Sequence, residues 1–410
     1  MEPKIRLKGC CGELKTSALS QVATMHARIG WQNLRKDEFL PKGDYYLITG
    51  TNFVDGVIDY HSCYYVSEER YNQDKNIQLK EGSILITKDG TLGKVAYVDN
   101  LEKPATLNAG VFNVVCKMDI IDSRFLYQYL KSPRLMNYVN STATGGTIKH
   151  LNQNILVSFP VRFPENEEQK FIGTYFQQLD SLIQSTAKKI ESLKQVKAAS
   201  LQSMFPQEGE TVPRVRFKGF EGEWKQIVMS DVGYMTAGGT PSTFEDSYWN
   251  GDINWLQSGA VQNNIILPSA VERKITKEGL SNSAAHLVQK DSVLIAITGA
   301  TCANIGYLTF NSTANQSVVS VEPYRGFDSK FVYQSLMINR NQILSFKGGS
   351  AQSGVTLSNL KKMSILCPDY QEQQKIGCFF FNIEEMIMQC MTRLEKLKQI
   401  KTACLDNMFV

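Results

Sequence analysis

The sequence predicts an α+β fold built twice: two pseudo-symmetric globular blocks joined by two long antiparallel helices that pair as a coiled coil. Three observations predict it. The chain of 410 residues repeats itself at a spacing near 205. Each copy ends in a stretch of about forty residues with helical periodicity, and each block before it mixes short β-rich runs with turn residues. Composition agrees with an ordinary globular chain: 42% apolar and 20% charged residues, 29 Gly and 12 Pro exclude disordered, collagen-like and disulfide-scaffold classes.

The repeat is read in register. Pro3-Lys-Ile-Arg-Leu-Lys-Gly-Cys-Cys-Gly-Glu-Leu-Lys15 aligns at a shift of 210 with Pro213-Arg-Val-Arg-Phe-Lys-Gly-Phe-Glu-Gly-Glu-Trp-Lys225. Gly82-Ser-Ile-Leu-Ile-Thr-Lys-Asp-Gly90 resembles Asp291-Ser-Val-Leu-Ile-Ala-Ile-Thr-Gly299, and Phe125-Leu-Tyr-Gln-Tyr-Leu130 resembles Phe331-Val-Tyr-Gln-Ser-Leu336. From Pro164 to Phe205 the shift is a constant 204. Identities there include Glu168/Glu372, Gln169/Gln373, Gly173/Gly377, Phe176/Phe380, Lys197/Lys401 and Phe205/Phe409.

The matched stretches are helical by pattern. Ile172, Phe176, Leu179, Ile183, Ile190 and Leu193 step by threes, fours and one heptad, and Ile376, Phe380, Ile383, Ile387, Leu394 and Leu397 repeat those steps. Two matched apolar seams in one chain pack most simply on each other. The second helix must then run back along the first, antiparallel, over at most ~60 Å. That geometry puts the blocks at opposite ends of the pair about a pseudo-two-fold axis and returns Met408-Phe409-Val410 to the first block. Predicted boundaries are 1–163 and 206–367 for the blocks, 164–205 for the central helix and 368–410 for the C-terminal helix. Phe205-Pro-Gln-Glu-Gly-Glu-Thr-Val-Pro213 is the linker between halves.

Within the blocks, Tyr45–Thr49, Ser83–Thr87, Val111–Val115, Ser292–Ala296 and Ser317–Val321 read as strands. One amphipathic helix is expected in each block, near 122–139 and 328–345.

Chemistry is sought and not found. Nine cysteines, an odd number with no C-x-x-C pair, signal neither a disulfide framework nor a zinc cage, and reduced thiols suit a cytoplasmic chain. The start lacks a signal peptide's apolar stretch and no run approaches the ~18 apolar residues of a membrane span. Gly90-Thr-Leu-Gly-Lys94-Val95 lacks the spacing and hydroxyl residue of a phosphate loop. His26, His61, His150 and His286 are isolated from ligand partners, so no metal site is expected. Methyltransferase and nuclease motifs and the G-x-S-x-G elbow are missing too. A non-catalytic binder is expected.

Charge says what kind. The overall excess is only +4, with residues 1–163 carrying +4, the central helix 0, residues 206–367 +1 and the C-terminal stretch −1. The excess therefore sits on the blocks, which suits weak phosphate contacts and base reading there and protein contacts along the neutral helices. Arg and Lys can bridge a guanine edge, Asn and Gln an adenine edge. Candidate reading residues in the first block are Arg28, Trp31, Gln32, Asn33, Lys88, Lys94, Asn108, Lys149, His150 and Asn152. In the second they are Trp255, Ser258, Asn304, Asn315, Gln316, Lys347 and Thr356.

In this order, and twice, the motifs resemble the specificity subunit of type I restriction–modification systems, end to end. The resemblance rests on Pro213-Arg-Val-Arg-Phe-Lys-Gly-Phe-Glu-Gly-Glu-Trp224, on Gly82-Ser-Ile-Leu-Ile-Thr-Lys-Asp-Gly-Thr-Leu-Gly-Lys-Val-Ala96, and on the Pro…Glu-Gln…Ile-Gly and Leu-Lys-Gln-x-Lys…Leu…Met-Phe ends of each helix. The first copy departs from the pattern at Cys10-Cys11 and Leu14. The resemblance implies that each block is a target-recognition domain reading one half of a bipartite, asymmetric site in double-stranded DNA, with the helices as a ruler. It further implies two adenine-N6 methyltransferase subunits docked on the helices, and a restriction/translocase subunit for cleavage. S-adenosylmethionine, ATP and Mg are then cofactors of those partners, and this chain binds none. Two other readings stand beside it: a coiled-coil adaptor whose blocks bind proteins, and an enzyme with an unrecognised active site.

Overall fold

The computed structural model describes residues 3–6, 12–30, 33–142, 151–347 and 354–409. They form two compact units, Met1–Ala187 with Thr392–Val410, and Lys188–Met391. Each unit takes part of the central helix, Asn166–Met204, and part of the C-terminal helix, Tyr370–Met408.

In the first unit a four-stranded antiparallel sheet runs in the order Ala23–Ala27, Val111–Cys116, Ile84–Thr87, Val95–Tyr97. A second sheet joins Tyr64–Val66, Tyr45–Ile48 and Ala105–Leu107, the last pair parallel. The run Ile84-Leu-Ile reads as continuously apolar because both faces are covered. Ile84 and Ile86 pack with Phe125 and Leu126, while Leu85 packs with Tyr46, Ile48 and Val98. The second unit repeats this in five strands: Gly233–Ala237, Val318–Pro323, Val293–Ala296, Ile305–Leu308 and, added parallel at the edge, Asn264–Ile266. Val293 and Ile295 again face one core and Leu294 and Ala296 another.

The single helix expected in each block is two. Ser123–Lys131 is followed by Pro133–Thr142, and Ser329–Ile338 by Arg340–Ser345. In the first unit the cause is Pro133, which pushes Ser132 to ψ 164 and out of the helical region.

The residues that recur between the copies turn out to be joints. Asp122 caps Ser123–Lys131 by accepting from the Phe125 amide at 2.9 Å, and its own amide donates to Gln169 Oε1 at 2.8 Å. Asp328 and Gln373 repeat both bonds at 2.9 and 3.1 Å. Glu168 receives Arg6 through two bonds of 2.8 Å, and Glu372 receives Arg216 through two of 2.7 Å. Phe409 lies against Phe125, Tyr129 and Phe176 in the first unit; Phe205 lies against Phe331, Trp224 and Phe380 in the second.

The helices pair antiparallel within each unit. In the first, Phe176 meets Phe409 and Asp180 meets Lys401; in the second, Phe205 meets Phe380 and Lys197 meets Glu384. Of the seam residues, Ile172, Phe176, Leu179, Ile190, Ile376, Phe380 and Ile383 are buried. Ile183, Leu193, Ile387, Leu394 and Leu397 are half-buried.

Gly377 shows how closely the block rests on its helix. A Cβ there would lie 2.4 Å from Asp328 Oδ1 and 2.7 Å from the Phe331 amide nitrogen. Gly to Ala within a helix normally gains up to ~1 kcal/mol. Gly377→Ala should instead destabilise the second unit by about 1–3 kcal/mol, because the capped helix start must move. A denaturant titration showing a gain would contradict this close packing.

Lys131 is a second local test. Its ammonium donates to Asp55 O at 2.8 Å and Tyr127 Oη at 3.1 Å. Burial, and then the charge of Lys401, pull it down to about 8 from the usual 10.5. Folding thus costs a proton between those values: the unfolded chain binds more protons there, so the first unit should gain stability as pH rises from about 8 toward 10.5. Lys131→Met, which copies Met337 of the second repeat, should remove that gain. A stability profile that is flat over this window in the unsubstituted chain would refute the assignment.

Candidate nucleic-acid interface

Four chain segments converge at one end of the central strands of each large sheet, forming an edge of the unit tied by backbone bonds that the fold dictates. In the first unit the Thr87 amide donates to Lys94 O and the Lys94 amide to Thr87 Oγ1, both at 2.9 Å, closing the turn between them. Lys88 donates to Gly110 O, Leu151 donates to Lys88 O, and Asn108 donates to Ile48 O, each at 2.9 Å. The segments 49–52, 88–94, 108–110 and 151–152 therefore share an edge. Gly93 makes the turn possible: its φ is +71°, and a Cβ would strike Met136 Sδ at 2.2 Å.

The second unit builds the same edge with different side chains. The Ala296 amide donates to Asn304 O at 2.9 Å, Ile297 to Ser317 O at 2.9 Å, Val355 to Ile297 O at 2.8 Å and Asn315 to Leu256 O at 2.9 Å. Segments 257–260, 297–304, 315–317 and 355–356 meet there. Ala303 stands where the first copy has Gly93 and holds the same left-handed turn at φ +63°.

Against this geometry the predicted residues divide. Lys88, Lys94, Asn108 and Asn152 come together on the first edge. Lys94 and Asn152 are exposed, while Lys88 is half-buried with its ammonium 5.5 Å from the Phe112 ring centre. The Asn108 carboxamide oxygen accepts from the Ala109 amide at 2.8 Å. Ser258, Asn315, Gln316 and Thr356 gather on the second edge. Gln316 is exposed and takes the Thr240 hydroxyl, Asn315 accepts from the Ser317 amide, and Thr356 caps the helix Leu357–Lys362. Asn33 is exposed on the loop after Ala27, and Lys347 is exposed just beyond Arg340–Ser345. Trp31, Gln32, Lys149 and His150 lie outside the described residues.

Three expectations are corrected. Arg28 is not on the surface: 2% exposed, it donates to Leu107 O at 2.8 Å, Gln73 Oε1 at 3.3 Å and Thr106 Oγ1 at 3.3 Å. Burial and then the nearby Arg70 charge lower its pKa, opposed by Asp74 and Glu38, so it clamps the strand Ala105–Leu107 from within. Trp255 is 5% exposed; its indole N–H donates to Gly239 O at 3.0 Å and its ring meets Trp249 edge-on at 5.1 Å. Asn304 sits on the edge but is spent on structure, accepting from Asn263 and Arg340 and donating to Val261 O. Sequence reasoning missed Arg340, which fixes Asn304, and the turn Thr49–Asn52, whose side chains bond among themselves beside Lys88 and Asn108. Aligning that turn with Gln257–Ala260 in the repeat was the available signal.

Among the described residues there is no group of three or more His, Cys, Asp or Glu placed to hold a metal ion, and no helix is long and apolar enough to cross a membrane.

Known proteins share this plan. The chain is 27% identical over 194 residues to the MjaIX type I restriction enzyme specificity subunit of Methanocaldococcus jannaschii, covering 46% of this chain and 44% of that one. It is 26% identical over 166 residues to the EcoR124I/EcoR124II specificity subunit of Escherichia coli, covering 39% and 40%. These matches span less than half of either relative. A putative MjaX specificity subunit of M. jannaschii is 21% identical over 361 residues, covering 85% and 82%. Among solved structures, the S subunit of a type I restriction–modification system from M. genitalium superposes with a TM-score of 0.71 at 16% identity, covering 100% of this chain and 99% of that one. The model of the type I restriction modification DNA specificity domain matches residues 12–195 and again 221–401. Nearly the whole chain is thus accounted for by one domain used twice, and the chain belongs to the type I restriction modification DNA specificity family.

Proposed function

We propose that this chain is the non-catalytic, sequence-reading subunit of a type I restriction–modification complex, each unit reading one half of a bipartite, asymmetric site in double-stranded DNA. One observation carries the reading: the same four segments form an edge in both units, yet Lys88, Lys94 and Asn152 on one edge are replaced by Ile297, Asn304 and Thr356 on the other. Equal backbones with unequal side chains suit two readers of different half-sites. The paired helices would set the gap between half-sites and carry two methyltransferase subunits, which would hold S-adenosylmethionine. A restriction subunit would bring ATP and Mg, and the complex would work in the cytoplasm, where its DNA is.

The test lengthens the ruler. One heptad inserted into each long helix, between the Asp180–Lys401 and Lys197–Glu384 pairs, adds ~10.5 Å, about three base-pair steps at ~3.4 Å each. The methylated motif should keep its half-sites and widen its gap accordingly, read by sequencing modified DNA. An unchanged gap would refute the ruler. An adaptor with protein-binding blocks would instead show no salt-dependent affinity for any duplex.

A further inference from the structure

We propose that the first unit carries a receptor cleft for a planar aromatic side chain with an O–H or N–H, a tyrosine or tryptophan, supplied by a protein partner. The cleft, about 230 Å³, opens between Ser123–Lys131 and the central helix and is lined by Tyr97, Asp99, Arg124, Gln128, Gln177 and Asp180, among others. Gln128 is 2% exposed; its amide N–H donates to Asp180 Oδ2 at 3.0 Å, and its Oε1 is buried with no hydrogen-bond partner.

The second unit shows what shape belongs there. By the repeat, Tyr307 stands for Tyr97, Lys330 for Arg124, Gln334 for Gln128, Glu384 for Asp180 and Phe381 for Gln177. Phe381 is buried at 7% exposure, 5.0 Å from the Tyr307 ring at 66°, with the Lys330 ammonium 4.2 Å from its centre. The second unit therefore fills its own site with a phenyl ring held between a tyrosine and a cation. In the first unit Gln177 is exposed instead; the Arg124 guanidinium lies 5.4 Å from the Tyr97 ring centre, and the cleft opens beside that pair toward Gln128 and Gln177. Gln334 Oε1 also lacks a partner, and the phenyl ring that fills this site carries no polar proton. The open site has room for a ring that does.

Charge narrows the guest. Arg124, Lys131 and Lys401 face Asp99 and Asp180 around this node, which opposes a further cation, while an anion would have to lie against the two carboxylates. A neutral ring with a donor edge remains. The flank of the central helix beside the cleft, Gln177, Ser181 and Gln184, is exposed and uncharged, which fits a protein surface better than a phosphate-bearing nucleotide. This assignment rests on the reading that the chain assembles with methyltransferase subunits, the partner used in the test.

The probe for the cleft itself is p-cresol, titrated into the full chain by calorimetry, with toluene as the ring lacking a donor. The unsubstituted chain should bind one p-cresol, and toluene at least tenfold more weakly. Gln177→Phe, which copies the second unit and fills space rather than emptying it, should abolish binding while leaving the melting transition equal or higher. Phe381→Gln should create a second site. Absence of saturable binding, or binding that survives Gln177→Phe, overturns the cleft. In the second arm Gln177→Phe should weaken attachment of a methyltransferase subunit by tenfold or more. Unchanged attachment with lost p-cresol binding overturns the partner. If the unsubstituted chain attaches no methyltransferase, the functional reading fails alone, because the p-cresol titration still decides the cleft.

Discussion

Reversing both lysines of the first edge, Lys88→Glu with Lys94→Glu, should weaken binding of the assembled complex to its duplex by about a hundredfold near 0.15 M salt. It should also lower the slope of log affinity against log salt by about two. The turn between Thr87 and Lys94 is fixed by one backbone bond and by the Lys94 amide donating to Thr87 Oγ1, and it ends in an exposed lysine, so its charge is presented without a large ordering cost. Each lysine that neutralises a phosphate releases about one counterion, and replacing it with a carboxylate adds repulsion to that loss. The second edge carries no lysine at the equivalent positions, Ile297 and Asn304, and should be untouched. Residual binding should therefore still depend on the half-site read by the second unit. Equal affinities and slopes for the reversed and unsubstituted chains would remove this edge from the DNA interface.

The repeat made the helices and their joints legible, because a constant shift of 204 preserves most of the residues that join helix to block. Gln169, Gly173 and Phe205 recur as Gln373, Gly377 and Phe409 because each sits at a contact without slack. The sheets were legible in part: Ile84–Thr87 and Val293–Ala296 stand out because both faces are covered. The added strand Asn264–Ile266 was not, being three residues long and paired with the distant strand Ile305–Leu308. The edge was legible least. Composition marks Arg28, Trp255 and Asn304 as readers, and only tertiary placement turns the first two inward and engages the third. A polar side chain in a loop is equally suited to hold the loop or to face a ligand, and the sequence carries no mark that separates the two roles.

Lys197→Glu should cost the second unit about 3–5 kcal/mol, and Lys197→Glu with Glu384→Lys should restore most of it. Lys197 donates to Glu384 Oε1 at 2.5 Å, with side chains only 18% and 10% exposed, and Gln334 Nε2 donates to the same oxygen at 2.8 Å. The substitution sets two carboxylates together where water screens them little. In the reversed pair, Gln334 can turn its amide and offer an oxygen to the new lysine. The first unit has the same arrangement in Asp180, Lys401 and Gln128, left intact as an internal control. The acid and the lysine are separated by 17 residues on both helices, 180 to 197 and 384 to 401. Within its own unit each pair closes only when the two helix segments run antiparallel in this register, and a slip of one turn opens it. The pairs thus act less through their own attraction than by excluding the neighbouring registers, as a polar residue does in a coiled-coil seam. Denaturant titration followed by tryptophan emission, to which the second unit contributes Trp224, Trp249 and Trp255 and the first only Trp31, measures the loss and the rescue. A loss below about 0.5 kcal/mol, the level of an exposed ion pair, or a double substitution as unstable as the single one, would show that the pair does not set the register.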